Sequence, residues 1–208
     1  MILIGQYDSP FVRRVGIALK LYGIPFEHKP WSVFGDVEKI RVYHPLTRVP
    51  TLVLDDGTAL ADSHIILDYL DSLVPPQARL FPVGEPERHR ALRIATLATG
   101  LGDKVVSLFY EKRLHEQASD IWIQRCQAQI AGALAVLETE CAALSKSYWL
   151  GDIFGHDDIA VACMVRFVTE AHPGLVDWTR FPALASHAKR LEDMPVFQEI
   201  RQVFIPPT

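Results

Sequence analysis

Three short stretches hold residues whose types and spacing can do chemistry. In "YDSPFVRRVGIAL", residues 7–19, a serine precedes a proline where an amphipathic period begins. Proline is favoured at the first helical position because its missing amide hydrogen would have no partner there, so Ser9 falls at an N-cap. A helix start presents unpaired N–H groups and about half a positive charge, and both attract an anion. The Ser9 hydroxyl can donate to such an anion, for example a sulfur anion that the protein does not itself supply. It can equally be a plain cap worth about 1 kcal/mol. In "TRVPTL", Val49-Pro50 stands at a strand start, where proline fits only if its amide is not needed in the ladder. A cis bond there would turn the Val49 N–H and C=O outward to pair with an extended peptide, and an ordinary trans proline would not. In "LADSHIILDYLD", Asp62 and Ser63 open a helix as caps, yet a carboxylate and a hydroxyl at a helix start can also receive a ligand's ammonium and carboxylate.

For these stretches to meet, the elements around them must follow a set order. Met1 to Gly5 is a short apolar run that suits a buried strand. From Pro10 the period lengthens. Phe11, Val15, Ala18, Leu19 and Tyr22 form one apolar stripe with Arg13, Arg14 and Lys20 outside it, and Gly23 ends the helix. Phe26 to Trp31 reads as a strand returning after that helix, a βαβ unit with parallel strands. Val49 to Leu54 and Thr58 to Leu60 flank "DDG", so these two strands are expected to be antiparallel. The helix opened by Asp62 and Ser63 is expected to bury Ile65, Ile66, Tyr69, Leu70 and Leu73.

"VPPQARLFPVGEPE" interrupts the pattern with prolines and a glycine, and only helical stripes follow it. Ile130, Leu134, Leu137, Cys141 and Leu144 form one stripe; Phe181, Leu184, Ala188 and Leu191 form another. The expected architecture is an α/β domain of order βαβββα at 1–78, a linker at 79–86 and an all-α domain at 87–208. The first long helix of the second domain should run from about Glu87 to Gln117.

The 208 residues are 49% hydrophobic, enough for a sizeable core, and carry a formal charge of −4. With no basic stretch interleaved with aromatics, this balance argues against nucleic acid as a partner. No apolar run reaches eighteen residues, and the start lacks a basic leader and a signal-type apolar region, so a cytoplasmic protein without membrane contact is expected. Cys126, Cys141 and Cys163 stand far apart without metal-ligand spacing, and each reads as a small buried hydrophobe.

The order of the motifs resembles the glutathione transferase superfamily over the whole chain, with a thioredoxin-like N-terminal domain and an all-α C-terminal domain. The specific stretches are "SPFVRRVGIALKLYGIPFE", "HPLTRVPTLVLDDG" and "LADSHIILDYLD". The resemblance implies that glutathione is a co-substrate and that no metal is needed. Ser9 would hydrogen-bond the glutathione sulfur, as in the serine-type theta, delta and zeta classes. Val49 would pair with the cysteinyl backbone, Pro50 would be cis, and Asp62 with Ser63 would hold the γ-glutamyl end. Phe11 and Arg48 are further candidate contacts. Tyr7 is the alternative donor, because Tyr7 and Arg13 match the tyrosine-type spacing of the alpha, mu and pi classes. The implied activity is thiol attack on a small electrophile by a homodimer. Asp103, Ser107 and Tyr110 on the first long helix would line the electrophile cleft, and Asp103 is the acidic candidate for reaching a partner subunit's glutathione. Two alternatives are a non-catalytic carrier module and a glutathione-dependent isomerase of the zeta kind.

Three departures from the family pattern qualify these expectations. The chain lacks the "SSC" start of the zeta class, and it lacks the cysteine that the omega and beta classes use for mixed disulfides. In "GDIFGHDDIA", Gly155 takes the Ser/Thr cap position of the family's sixth helix, Asp158 is expected to complement the dipole, and His156 is expected to be an exposed neighbour of the cap.

Overall fold

Residues 1–206 are described by a computed structural model. Short apolar runs become three-residue strands: β1 (Ile2–Ile4), β2 (Glu27–Lys29), β3 (Thr51–Val53) and β4 (Ala59–Ala61). The sheet order is β2-β1-β3-β4, with β1–β2 parallel and β1–β3 and β3–β4 antiparallel. The expected parallel return and hairpin are therefore both present. Between β1 and β2 lies α1 (Pro10–Leu21), begun by Pro10 at the first helical position and ended by Gly23 at φ 66. A helix that the sequence reading omits, α2 (Val37–Arg41), occupies only five residues before β3. After β4 comes α3 (Ser63–Ser72), capped by Asp62.

The chain divides into two compact units, Met1–Val83 with the segment from Asp193 onward, and Gly84–Glu192. The first unit's core joins Leu3, Val12, Val15, Ala18 and Leu19 to Leu52, Ile66, Leu67 and Leu70, so α1 and α3 pack with the central strands. Two of the five residues expected on the buried face of α3 stand out: Ile65 and Leu73 are exposed, and Leu67 takes part in the core instead.

Arg13 and Arg14, expected outside the apolar stripe, are buried at 2% and 0% exposure. The reason for Arg13 is a set of acceptors far along the chain. Its Nε donates to Ile200 O at 2.8 Å and its Nη2 to Phe197 O at 2.9 Å, and the guanidinium lies 5.5 Å from the Phe197 ring centre. These bonds hold α8 (Pro195–Glu199) and the residues after it in the first unit, whereas the sequence reading ran the helical domain through to 208. The start of the linker is held there too, as the Asp71 carboxylate accepts the N–H groups of Leu80 and Phe81.

The second unit contains α4 (Glu87–Leu114), α5 (Asp120–Ala142), α6 (His156–Ala171) and α7 (Pro182–Glu192). Its buried residues include the expected Ile130, Leu134, Leu137, Cys141, Leu184, Ala188 and Leu191. All three cysteines are buried and outside any disulfide, and burial pushes the Cys141 thiol up to about 11. Among the described residues, no helix is long and apolar enough to cross a membrane.

At the start of α6, His156 is fully buried, contrary to the expected exposed position. Gly155 is the N-cap and has no side chain, so only the reciprocal half of a capping box exists: Gly155 N–H donates to Asp158 Oδ2 at 2.9 Å. The Asp158 N–H, which a Ser or Thr cap would satisfy, donates to Asp157 Oδ1 at 3.0 Å.

Candidate functional site

Strand register brings the three candidate stretches to one end of the sheet. Ile4 pairs with Thr51, and Thr51 pairs with Ala61, so these residues form one row across β1, β3 and β4. Beyond that row the chain continues into the Ser9 turn from β1, arrives from Val49-Pro50 at β3, and enters Asp62-Ser63 from β4. Antiparallel pairing on both sides of β3 is what gathers them.

Gly5 permits the approach. It adopts φ 127, and a β-carbon placed there would lie 2.5 Å from Val12 Cγ2 and 2.8 Å from Val49 Cβ. Only glycine lets the end of β1, the first turn of α1 and the Val49 loop occupy this space. This residue was missed by sequence reasoning, although a glycine between a buried strand and a helix start is a visible signal of close backbone approach.

Ser9 is a half-buried N-cap whose Oγ accepts the Val12 N–H at 3.5 Å, the far limit of a hydrogen bond. The contact uses a lone pair and leaves the hydroxyl proton to donate elsewhere. The Val49-Pro50 bond is cis. The loop before it is fixed by Thr51 Oγ1 donating to Arg48 O at 2.8 Å, and the Arg48 side chain itself is exposed.

Asp62 has φ 71 and ψ 122, a conformation uncommon for a non-glycine residue, and its Oδ1 accepts the His64 N–H at 2.9 Å. Strain of this kind concentrates at ligand sites. Ser63 is 4% exposed and its Oγ accepts from Arg14 Nη1 at 3.3 Å. A buried cation thus stands behind the start of α3, adding to the positive end of that helix. Arg14 is a second residue missed by sequence reasoning; its signal was an arginine adjoining an otherwise apolar stripe.

Tyr7 is arranged differently. Its ring stacks on His28 with centroids 3.9 Å apart and lies against Gly16 and Ile200. It lines a cavity of about 520 Å³ with Lys20, Gly23, Phe26 and Glu199, at the last turn of α1 and not the first. Burial and then the Glu199 charge push the phenol up to about 12. Arg13, its partner in the tyrosine-type spacing, is spent on the Phe197 and Ile200 carbonyls. Phe11 is half-buried at the second position of α1.

Asp103, Ser107 and Tyr110 all lie on α4 of the second unit. Asp103 is exposed and the other two are half-buried, with Ser107 Oγ donating back to Asp103 O at 2.8 Å. Among the described residues, no group of three or more His, Cys, Asp and Glu is placed to hold a metal ion.

Comparison with known proteins matches residues 3–78 to the glutathione S-transferase N-terminal domain and residues 120–190 to the glutathione S-transferase C-terminal domain. The GST-like protein YibF of Escherichia coli is 32% identical over 169 residues, 81% of this chain and 82% of the relative. Maleylacetoacetate isomerase of Mus musculus is 28% identical over 204 residues, 95% of this chain and 90% of the relative. Two solved structures superimpose over the whole chain. A glutathione S-transferase of Methylobacterium radiotolerans in complex with glutathione sulfonate has a TM-score of 0.89 at 29% identity, covering 100% of this chain and 98% of that one. A glutathione transferase family member of Pseudomonas fluorescens Pf-5 with bound glutathione has a TM-score of 0.84 at 31% identity, covering 100% and 99%.

Proposed function

The chain belongs to the glutathione transferase superfamily, and from that premise we propose that it binds glutathione at the end of the β1-β3-β4 row and activates the thiol through Ser9 for attack on a small electrophile. The single observation that carries the reading is the Ser9 hydroxyl at a helix start, which accepts in its cap contact and so keeps its proton for a ligand. Glutathione sulfonate bound by the M. radiotolerans protein and glutathione bound by the P. fluorescens protein support the choice of ligand.

The chemistry has a definite energetic demand. A thiol of pKa ~8.5 must lose its proton to react. Lowering that value by about two units requires roughly 2.7 kcal/mol of preference for the thiolate. One charge-assisted hydrogen bond of about 1.5–3 kcal/mol, with a helix terminus adding about 0.3–1, is sufficient. In this reading the Ser9 hydroxyl donates to the sulfur while the first turn of α1 supplies the field. Val49 N–H and C=O, which make no backbone hydrogen bond among the described residues, pair with the tripeptide's main chain. Asp62 receives the ammonium, and Ser63 with Arg14 behind it receives the neighbouring carboxylate. The packing of Tyr7 beside His28 favours Ser9 as the donor. A cytoplasmic homodimer with Asp103 directed to the partner's glutathione completes the proposal.

A glutathione-dependent isomerase is the second reading, favoured by the 28% identity to the mouse isomerase. The absence of the "SSC" start weighs against it.

Ultraviolet difference titration of bound glutathione between about pH 5 and 9 tests the thiol step, on the wild type and Ser9→Ala. A thiolate signal shifted down by about two units in the wild type and lost in the variant is expected. Tight binding with an unshifted thiol in both proteins would overturn it and leave a carrier.

A further inference from the structure

We propose that the segment Phe197–Ile205 braces the turn carrying Ser9, with Gln202 and Asp8 as positioning residues; the inference rests on the thiol-activation reading above. Within the turn, Ser9 N–H donates to Gln6 O at 3.2 Å. The two residues before Ser9 are tied elsewhere. Tyr7 N–H donates to Gln202 Oε1 at 3.2 Å, and Ile205 N–H donates to Asp8 Oδ2 at 3.1 Å. One residue is tied through its main chain and the next through its side chain, to the same segment almost the length of the chain away.

That segment is secured to α1 itself. The buried Arg13 guanidinium grips Phe197 O and Ile200 O, so helix and turn are referred to a common strut. Beyond Ile200, Val203 and Ile205 remain 71% and 56% exposed while Phe204 between them is half-buried. The polar ties to Tyr7 and Asp8 join this stretch to the turn. The consequence concerns the hydroxyl: a donor that stabilises a forming thiolate must stand within about half an ångström of its working position. The 3.5 Å cap contact cannot impose that on Ser9. The braced turn can.

The test uses the full chain carrying Gln202→Ala, Asp8→Ala or Asp8→Asn. Four quantities are read: the pKa of the bound glutathione thiol, amide hydrogen exchange at Tyr7 and Ser9, kcat/KM and glutathione affinity. Both Asp8 variants lose the charge, but asparagine keeps an oxygen acceptor, so the difference between them isolates the tie. The expected result is a bound-thiol pKa raised by about half a unit to one unit in both alanine variants. kcat/KM falls roughly tenfold, glutathione affinity stays within about twofold, and Asp8→Asn restores the wild-type profile. Faster exchange with an unmoved thiol pKa overturns the positioning role, and so does a loss of glutathione affinity that matches the loss of rate. If the wild-type thiol is itself undepressed, thiol activation fails independently and exchange decides the brace. Acceleration at Tyr7 and Ser9 in Gln202→Ala then upholds it, and unchanged exchange overturns it.

Discussion

Two helix starts in this chain solve opposite problems. At α1 the cap residue is a serine, yet its contact to the helix is stretched to 3.5 Å and the residue is half-buried. At α6 the cap is a glycine with no hydroxyl, yet the start is fully buried and densely bonded: Asp158 accepts Gly155 N–H at 2.9 Å and Trp149 N–H at 3.3 Å, and Asp157 accepts Asp158 N–H. His187 Nε2 also stands 3.1 Å from Asp158 Oδ1, an electrostatic contact that lacks hydrogen-bond alignment. The residue type best suited to capping is thus left loosely engaged, and the residue with nothing to offer is supported by its neighbours. A helix start committed to stability satisfies its own amides; one kept for a ligand leaves donors available.

The sharpest way to break this contrast is Asp158→Ala. One buried amide and one part-buried amide lose their acceptor, the buried one at about 1–3 kcal/mol, so a loss of about 2 kcal/mol or more is expected in denaturant unfolding. A loss below about 1 kcal/mol would mean that the α6 start is not structural. Ser9→Ala should do the reverse. Stability changes by less than about 1 kcal/mol, because the cap bond is long. kcat/KM falls about ten- to a hundredfold, the worth of one charge-assisted hydrogen bond. Equal losses in both properties would erase the distinction.

The pH dependence of folding offers a finer test. Burial first, and then the Asp158 charge, push the Asp157 carboxyl up to about 7. The unfolded carboxyl ionises near pH ~4, so between about pH 4 and 7 the folded chain holds the extra proton. The contribution of this group is complete below the unfolded value and is lost as pH rises through the folded one. Asp157→Asn keeps an oxygen for the Asp158 amide and should flatten this decline, measured as unfolding free energy at successive pH values. An identical slope in the variant would remove Asp157 from the account. Smallest of all, Gly155→Ser should add only a few tenths of a kcal/mol in thermal unfolding, because Asp157 already serves the amide that the new hydroxyl would reach.

What the sequence made legible was local or periodic. The Ser-Pro start, the hairpin, the proline strand start and the Asp-Ser cap are each written in adjacent residues, and the sheet brings these stretches to one of its ends. The burial of Arg13 was not legible, because its acceptors lie 184 and 187 positions away and are main-chain carbonyls that any residue could carry. Gly5 could be seen as a glycine, but its meaning depends on Val49, which reaches it only through the β1–β3 register. His156 was misread as exposed because a polar residue at a helix start is ordinarily solvated, whereas here α6 is buried over nearly its whole length.

The grip of Arg13 on Phe197 O and Ile200 O also orders events during synthesis. Domains generally fold as units as they emerge, the earliest first. Here two carbonyls that receive the guanidinium near the beginning of the first unit do not exist until residues 197 and 200 have been made. The earlier-made part of this unit is completed only after the later-made part has appeared, and the helices of the intervening unit can be in place before it closes.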